Sequence, residues 1–205
     1  MKRSEFNRRW SELHGGVEIQ GVIAGWLRIS YSIARFLGVI GVTPNAVTTI
    51  GLVASIAIYF TVYTSQLIAL VLFSLICDGV DGSLAIYRSR ESKFGELYDS
   101  VADRISEAFW LIGASFVGVP ARWAIAIWVL SATQEYARAR LASLGYSEIG
   151  VVTPTERPVR AIFVIAVTIL FWLGYDLATE VAIGFTALQA ISVLSVMRMA
   201  QSILR

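Results

Sequence analysis

Long apolar segments separated by short polar turns constrain this chain more than any other feature. Residues 45–63 contain no charged side chain and are long enough to cross a bilayer as a helix. The composition agrees, because 56% of the residues are hydrophobic and only 16% are charged, a balance that is unusual in soluble domains. The sequence therefore predicts an all-α integral membrane protein.

Six transmembrane helices are predicted from the positions of the apolar segments and turns. The segments are residues 45–63, 67–77, 95–119, 123–140, 160–175 and 177–199. Residues 67–77 begin the second span, which ends in the first aspartate pair. Thr43 and Pro44 fit the cap and first turn of the first span. These assignments divide the chain into an N-terminal segment, residues 1–42, and a six-span domain, residues 43–205.

An amphipathic helix is predicted before the first span. Apolar residues recur every three or four positions between residues 17 and 42, at Val22, Trp26, Ile29, Ile33 and Leu37. The arginines at positions 28 and 35 fall on the opposite side, which is typical of a helix lying in the membrane interface. A helix packed against another protein surface would have the same pattern. Earlier in the chain, His14 precedes two glycines, which indicates a turn rather than a ligand.

Basic residues cluster on one side of the predicted topology. They lie before span one, between spans two and three, near the link between spans four and five, and after span six: Lys2, Arg3, Arg8, Arg9, Arg28, Arg35, Arg88, Arg90, Lys93, Arg104, Arg138, Arg140, Arg157, Arg160, Arg198 and Arg205. The opposite turns carry only Arg122. The positive-inside rule therefore predicts a multi-pass protein of the cell membrane with both termini in the cytoplasm. The net charge of +2 gives no support for a nucleic-acid partner.

Four aspartates lie where the second apolar segment ends and the third begins. Helical spacing places Asp78 and Asp81 roughly 60° apart, and Asp99 and Asp103 roughly 40° apart, each pair on one helix face. Each charge costs about 2.5 to 3.5 kcal/mol at mid-bilayer, and the four repel one another. A divalent cation would compensate them, and carboxylate oxygens suit Mg²⁺, Mn²⁺ or Ca²⁺. The sequence therefore predicts a metal site at the cytoplasmic side.

A second polar cluster contains arginines on the same side of the membrane. Arg157 and Arg160 share a helix face, and Arg138 and Arg198 are predicted near them. Guanidinium groups bind phosphate in a bidentate manner, so the cluster indicates a phosphate pocket. Anchoring to lipid headgroups is the alternative explanation for these charges.

The spacing of Asp78, Asp81, Gly82, Ala85, Gly95, Asp99 and Asp103 resembles the motif of the CDP-alcohol phosphotransferase family. The resemblance implies phospholipid biosynthesis: a phosphatidyl group moves from CDP-diacylglycerol to an alcohol, and CMP is released. It also implies Mg²⁺ or Mn²⁺, two ions per site, and a homodimer.

The resemblance also implies roles for individual residues. Asp78, Asp81, Asp99 and Asp103 would bind the metals, and Asp103 would also act as general base. The donor nucleotide would contact Asp78, Asp81, Gly82, Ala85, Gly95 and Asp99. The family usually has arginine after the motif alanine, but this chain has Ile86. Arg88 or Arg90 is the expected substitute, and Arg88 is assigned to the donor site.

Residues 156–160 resemble the E-R-x-x-R element of family members that make phosphatidylinositol phosphate. This likeness implies that Arg138, Arg157, Arg160 and Arg198 bind an acceptor phosphate. Inositol phosphate and glycerol phosphate are the expected acceptors, with phosphatidylglycerol, which would give cardiolipin, as the alternative. The donor could carry acyl or ether chains.

Two other classes of protein also place carboxylates in membranes. A divalent-cation transporter would be expected to carry them near the membrane centre, on broken helices. An intramembrane aspartyl protease would need a G-x-G-D motif to accompany Tyr98 and Asp99, and the sequence contains none. Both classes are therefore disfavoured.

Overall fold

The computed structural model describes residues 1–60, 64–146 and 152–204. All regular structure in these ranges is helical, as the sequence predicts. The helices are α1 Arg3–Leu13, α2 Gly21–Val39, α3 Pro44–Ala57, α4 Thr64–Arg88, α5 Lys93–Phe116, α6 Ala121–Ser143, α7 Arg157–Trp172 and α8 Ala178–Ile203, with a 3₁₀ turn, Ile58–Phe60, after α3.

Three of the described helices, α2, α4 and α8, are long and apolar enough to cross a membrane. Helix α3 with its 3₁₀ turn is a shorter apolar segment. The predicted end of the first span, residues 61–63, and Arg205 lie outside the described residues. Helix α2 is the segment predicted to lie in the interface, yet its length and composition also suit a span.

Helix α3 begins as its sequence predicts. The backbone N–H of Ala46 donates to Thr43 Oγ1 at 3.3 Å, and Pro44 occupies the first helical position. Proline fits there because the first N–H groups of a helix have no partner within it. The predicted cap at Thr43 is confirmed.

The chain forms two compact units. Unit 1 comprises Met1–Ala54 and Phe73–Ser106, and unit 2 comprises Ser55–Leu72 and Glu107–Arg205. Each unit has its own buried side chains, and each contains one of the two polar clusters predicted from the sequence.

Two apolar clusters hold unit 1 together. One contains the buried residues Ala34, Val47, Cys77, Val80 and Leu84. The other contains Phe6, Leu27 and Ile86, so it joins α1 to α2 and α4.

The predicted apolar stripe of α2 is divided between two surroundings. Trp26, Ile33 and Leu37 pack against the buried residues of unit 1, whereas Val22 and Ile29 are exposed. Part of the stripe therefore serves the protein's own core, and only the remainder is available to lipid.

Unit 2 contains buried polar side chains that bond to one another. Gln189 donates to Gln134 at 2.8 Å, Gln134 donates to Thr153 at 3.0 Å, and Thr155 donates to Ser192 at 2.7 Å. These bonds link α6, α8 and the segment before α7. Lipid tails are as apolar as the outer surfaces of such helices, so hydrogen bonds between helices help to fix their positions in a membrane.

Glu156 organises the start of α7. Its carboxylate accepts hydrogen bonds from the backbone N–H and the hydroxyl of Thr153, at 2.7 and 2.8 Å, and from both terminal nitrogens of Arg138, at 2.7 and 3.0 Å. Partial burial by itself raises the pKa of Glu156, but the bonds from Arg138 and Thr153 outweigh it and lower the pKa to about 2.

This lowered pKa predicts a pH dependence of stability. The usual pKa is 4.5, so Glu156 should contribute stability fully above that pH, and the contribution should be lost as the pH falls towards about 2. The Glu156→Gln variant should therefore be less stable than the parent at neutral pH, and the difference should shrink below pH 4.5. Apparent melting temperatures in detergent would measure it.

The control for this experiment is Glu180→Gln, which changes an exposed acid of the same unit. It should leave the pH profile unchanged. Parallel melting curves for the parent and Glu156→Gln across the acidic range would contradict the role of Glu156.

Candidate functional site

Three of the four predicted aspartates converge in unit 1. Asp78 lies on α4, and Asp99 and Asp103 lie one turn apart on α5. Each offers a carboxylate oxygen, and these oxygens all lie within 4.8 Å of one another. The side chains are half-buried. The juxtaposition of the two helices that the motif spacing predicts is therefore present.

The donor atoms of this group suit a hard divalent cation. All three are carboxylate oxygens, which Mg²⁺ and Mn²⁺ prefer over the nitrogen and sulfur ligands typical of zinc. Three like charges this close raise each other's energy unless a cation lies among them. The residues present therefore fit the predicted metal site.

Asp81 has different surroundings from the other three aspartates. Only 4% of the residue is exposed. Its carboxylate accepts hydrogen bonds from the Thr48 hydroxyl and from the backbone N–H of Gly82. Asp81 is therefore bonded to α3 and to its own helix, and its predicted role as a metal ligand stays a prediction.

A cavity of about 310 Å³ opens beside these carboxylates in unit 1. Five of the residues assigned to the donor lie along its wall: Asp81, Gly82, Ala85, Gly95 and Asp99. Five of the motif residues that α4 and α5 contribute therefore meet at one concave surface.

Two residues assigned to the donor, Asp78 and Arg88, do not line this cavity among the described residues, and Arg88 is bonded elsewhere. Its Nη1 donates to the backbone carbonyl of Val42 at 2.7 Å, and Arg88 is not among the residues that line the cavity within the described part of the chain. Arg90, two residues later, does line it. Of the two arginines considered as substitutes for the motif arginine, the structure therefore favours Arg90.

The motif departure at Ile86 has a packing explanation. The residue is only 4% exposed and belongs to the apolar cluster with Phe6 and Leu27. Although Ile86 also lines the cavity, its contacts with Phe6 and Leu27 give an apolar side chain packing partners at this position. Isoleucine therefore fits because α1 covers this part of α4.

Two glycines of α4 show where the helix meets protein and where it meets open space. A Cβ at Gly79 would lie 2.3 Å from Trp26 Cζ2, so this glycine is needed for close packing with α2. A Cβ at Gly82 would meet no protein atom within 4 Å. Gly82 therefore keeps space free along the cavity rather than between helices.

Sequence reasoning missed several residues of the cavity wall. Thr48 lies one turn after Pro44, so its helical spacing could have indicated it. The turn predicted at His14 is present, with positive φ at Gly15 and Gly16, but His14 also lines the cavity. Glu91 lines it too. No local signal marks these last two, because folding brings them there.

The predicted acceptor arginines all lie in unit 2, and acids engage three of them. Arg160 lies 3.0 Å from both Glu107 and Glu135, and Arg157 lies 3.9 Å from Glu107. Arg138 pairs with Glu156 as described above. The shared face predicted for Arg157 and Arg160 is confirmed, since both approach one carboxylate.

This arrangement is a buried ion-pair network. Only 2% of the Glu107 side chain and 5% of the Arg160 side chain are exposed, and the Arg157 guanidinium lies 5.3 Å from the centre of the Trp110 ring. Removing one partner of a buried pair is strongly destabilising because the other charge stays uncompensated. Arg198 differs, since it is exposed and forms no ion pair within the described residues.

Comparison with known proteins supports the motif assignment. Residues 41–199 match the CDP-alcohol phosphatidyltransferase family. The archaetidylinositol phosphate synthase of Pyrococcus horikoshii is 35% identical over 61% of this chain and 70% of its own length. The protein of the same name from Aeropyrum pernix is 30% identical over 84% of this chain and 89% of its own length.

Solved structures of a bacterial relative resemble this chain. The crystal structure of Mycobacterium tuberculosis phosphatidylinositol phosphate synthase with CDP-DAG bound has a TM-score of 0.65 and 27% identity, covering 83% of this chain and 91% of that one. The structure of the same protein with manganese and citrate has a TM-score of 0.67 and 25% identity, covering 85% and 88%. Because the family match extends over most of its length and includes the aspartate motif, the chain is a transferase that belongs to the CDP-alcohol phosphatidyltransferase family.

Proposed function

We propose that this protein transfers a phosphatidyl group from CDP-diacylglycerol to inositol phosphate and releases CMP, as a step of phospholipid biosynthesis. The convergence of Asp78, Asp99 and Asp103 beside a cavity lined by the rest of the motif is the observation that carries this proposal. The names of the archaeal and mycobacterial relatives support the choice of acceptor.

The four motif aspartates would hold two divalent ions, Mg²⁺ or Mn²⁺, in this proposal. Such ions would neutralise the negative charge of the donor diphosphate. Asp81 would contribute through the lone pairs that its hydrogen bonds from Thr48 and Gly82 leave free. Gly82, Ala85 and Gly95 leave room for the nucleotide because their side chains are small or absent. Arg90 supplies a positive charge at the same wall.

Asp103 is the general base in this mechanism. Its carboxylate takes the proton of the acceptor hydroxyl, and the acceptor oxygen forms a bond to the β-phosphorus of the donor. The bond from that phosphorus to the bridging oxygen breaks, and CMP leaves with that oxygen. A positioned base typically contributes about 10² to 10⁴ in rate.

The arginines of unit 2 bind the acceptor phosphate in this proposal. Ion pairs with Glu107, Glu135 and Glu156 orient the guanidinium groups of three of these arginines before the acceptor binds. The three are Arg138, Arg157 and Arg160. Arg198 has an exposed guanidinium group without an acidic partner in the described residues, and it offers the most available charge.

The membrane arrangement completes the proposal. Residues 43–205 form the six-span catalytic domain, and residues 1–42 form the cytoplasmic N-terminus and the interfacial helix. The aspartates and both termini face the cytoplasm of a multi-pass protein in the cell membrane, and two copies form a homodimer. The distribution of basic residues supports this orientation.

The proposed reaction predicts CMP release from a CDP-activated lipid that depends on both a divalent ion and the correct acceptor. Purified protein would be assayed with inositol phosphate, glycerol phosphate and phosphatidylglycerol, using acyl and ether donors, and the products identified by mass spectrometry. Inositol phosphate should support release, and a chelator should abolish it. Cardiolipin formation would instead support the alternative acceptor. Metal uptake into vesicles without CMP release would indicate a transporter.

The base role predicts that Asp103→Asn removes turnover while nucleotide binding persists. Turnover should fall by about 10² or more, because no group accepts the acceptor proton. CDP binding in the presence of Mn²⁺, measured by calorimetry, should change much less. The control is Glu18→Gln, which alters an exposed acid of the same unit. Equal losses of binding and turnover would rule out a base role and leave Asp103 as a metal ligand only.

The acceptor role predicts that Arg198→Ala raises the KM for inositol phosphate and leaves the donor KM unchanged. Arg140→Ala is the matched control, because Arg140 is also exposed in unit 2 and its side chain, among the described residues, bonds only to Ser143. Arg160→Ala should raise the acceptor KM as well, but it should also lower the melting temperature, because it leaves the buried Glu107 and the half-buried Glu135 without this partner. An unchanged acceptor KM for Arg198→Ala would assign that arginine to lipid anchoring.

A further inference from the structure

Helix α1 is fixed to the body of unit 1 rather than trailing from it. The side chain of Phe6 is fully buried in the cluster with Leu27 and Ile86. The Tyr31 hydroxyl donates to the backbone carbonyl of Met1 at 3.0 Å, which ties down the start of the chain. A charged helix at a chain terminus would be mobile without such contacts. The contacts of Phe6 and Met1 therefore dock α1, and they fix the position of its C-terminal end in unit 1.

An ion pair joins α1 to the segment between the two halves of the aspartate motif. Arg9 Nε lies 2.6 Å from Glu91 Oε1, and the two residues are far apart in sequence. Glu91 lies between α4 and α5 and lines the same cavity as Asp81 and Asp99. This pair, here called the α1 clasp, therefore connects the helix to the cavity wall.

The C-terminal end of α1 itself contributes to that wall. Leu13 and His14 line the cavity. The imidazole ring of His14 stacks on Trp10 with ring centres 4.0 Å apart, and its Nδ1 donates to the Trp10 carbonyl at 2.7 Å. Because a carbonyl can only accept, Nδ1 carries the proton in this geometry. The other ring nitrogen, Nε2, is then available to a ligand.

We propose that α1 forms one wall of the donor's nucleotide site, that the α1 clasp positions it, and that His14 contacts the bound cytidine nucleotide. This inference rests on the proposed function, since it assigns the cavity to the nucleotide of the donor. It makes donor affinity depend on a helix that lies outside both the aspartate motif and the matched family region, residues 41–199.

The clasp is tested by charge reversal and its restoration. Arg9→Glu and Glu91→Arg each place like charges together, and an exposed pair of this kind changes an equilibrium by up to about five-fold. Each single variant should therefore raise the Kd for CDP, measured by calorimetry with Mn²⁺, by about that factor. The double variant, Arg9→Glu with Glu91→Arg, should recover most of the lost affinity because it restores an attractive pair.

The control for the clasp is Arg8→Glu. Arg8 is the neighbouring residue on α1, it is exposed, and its one ion pair in the part of the chain that the structure describes is with Glu12 of its own helix. The charge change is the same, so its Kd for CDP should equal that of the parent. An equal loss for Arg8→Glu and Arg9→Glu would overturn the clasp and assign the effect to net charge. Failure of the double variant to recover affinity would also overturn it.

Kinetic constants separate positioning from simple stabilisation. The clasp variants should raise the KM for CDP-diacylglycerol and leave the KM for the acceptor unchanged. Lower melting temperatures with an unchanged Kd for CDP would show that the pair only stabilises the fold, and the proposal would fail.

His14→Ala tests the contact with the nucleotide directly. Loss of one hydrogen bond should raise the Kd for CDP by about two- to ten-fold. An unchanged Kd would overturn the contact. A parent protein that neither binds CDP nor releases CMP would overturn the proposed function and this inference together. A parent that does both, with variants that behave like it, would overturn this inference alone.

Discussion

Repulsion among carboxylates held by two apolar helices is the constraint on which the site depends. Asp78, Asp99 and Asp103 bring oxygens of like charge within 4.8 Å of one another. Such a group is stable only with compensating positive charge, which makes it suited to divalent ions and, through them, to a diphosphate. The same feature that is unfavourable for folding is therefore the basis of the proposed catalysis.

The two units differ in how their charged side chains are arranged. Unit 1 concentrates acids of one sign around a cavity, whereas unit 2 balances Arg138, Arg157 and Arg160 with Glu107, Glu135 and Glu156. A balanced network can be buried at lower cost, and it orients guanidinium groups without closing every donor position. Unit 2 therefore holds its guanidinium groups in a buried, charge-balanced network, whereas unit 1 gathers carboxylates that suit a divalent cation.

The docked N-terminal segment affects both the residue after the motif alanine and the residues that line the cavity. Packing of Ile86 against Phe6 favours an apolar residue at the position after the motif alanine in this chain. The same docking brings His14 and Glu91 to the cavity, where Arg90 also lies. The presence of Ile86, where the family usually has arginine, is thus linked to the packing of helix α1 against α4.

The sequence by itself determined the helical class, the cap at Thr43, the aspartate motif and the shared face of Arg157 and Arg160, because these depend on hydropathy and on helical spacing. Tertiary structure alone decided that Asp81 bonds to Thr48, that Arg88 bonds to Val42, and that acids pair with Arg138, Arg157 and Arg160. It also decided that α1 reaches the cavity. Each of these depends on contacts between segments distant in sequence, and local periodicity carries no information about which distant partner a side chain meets.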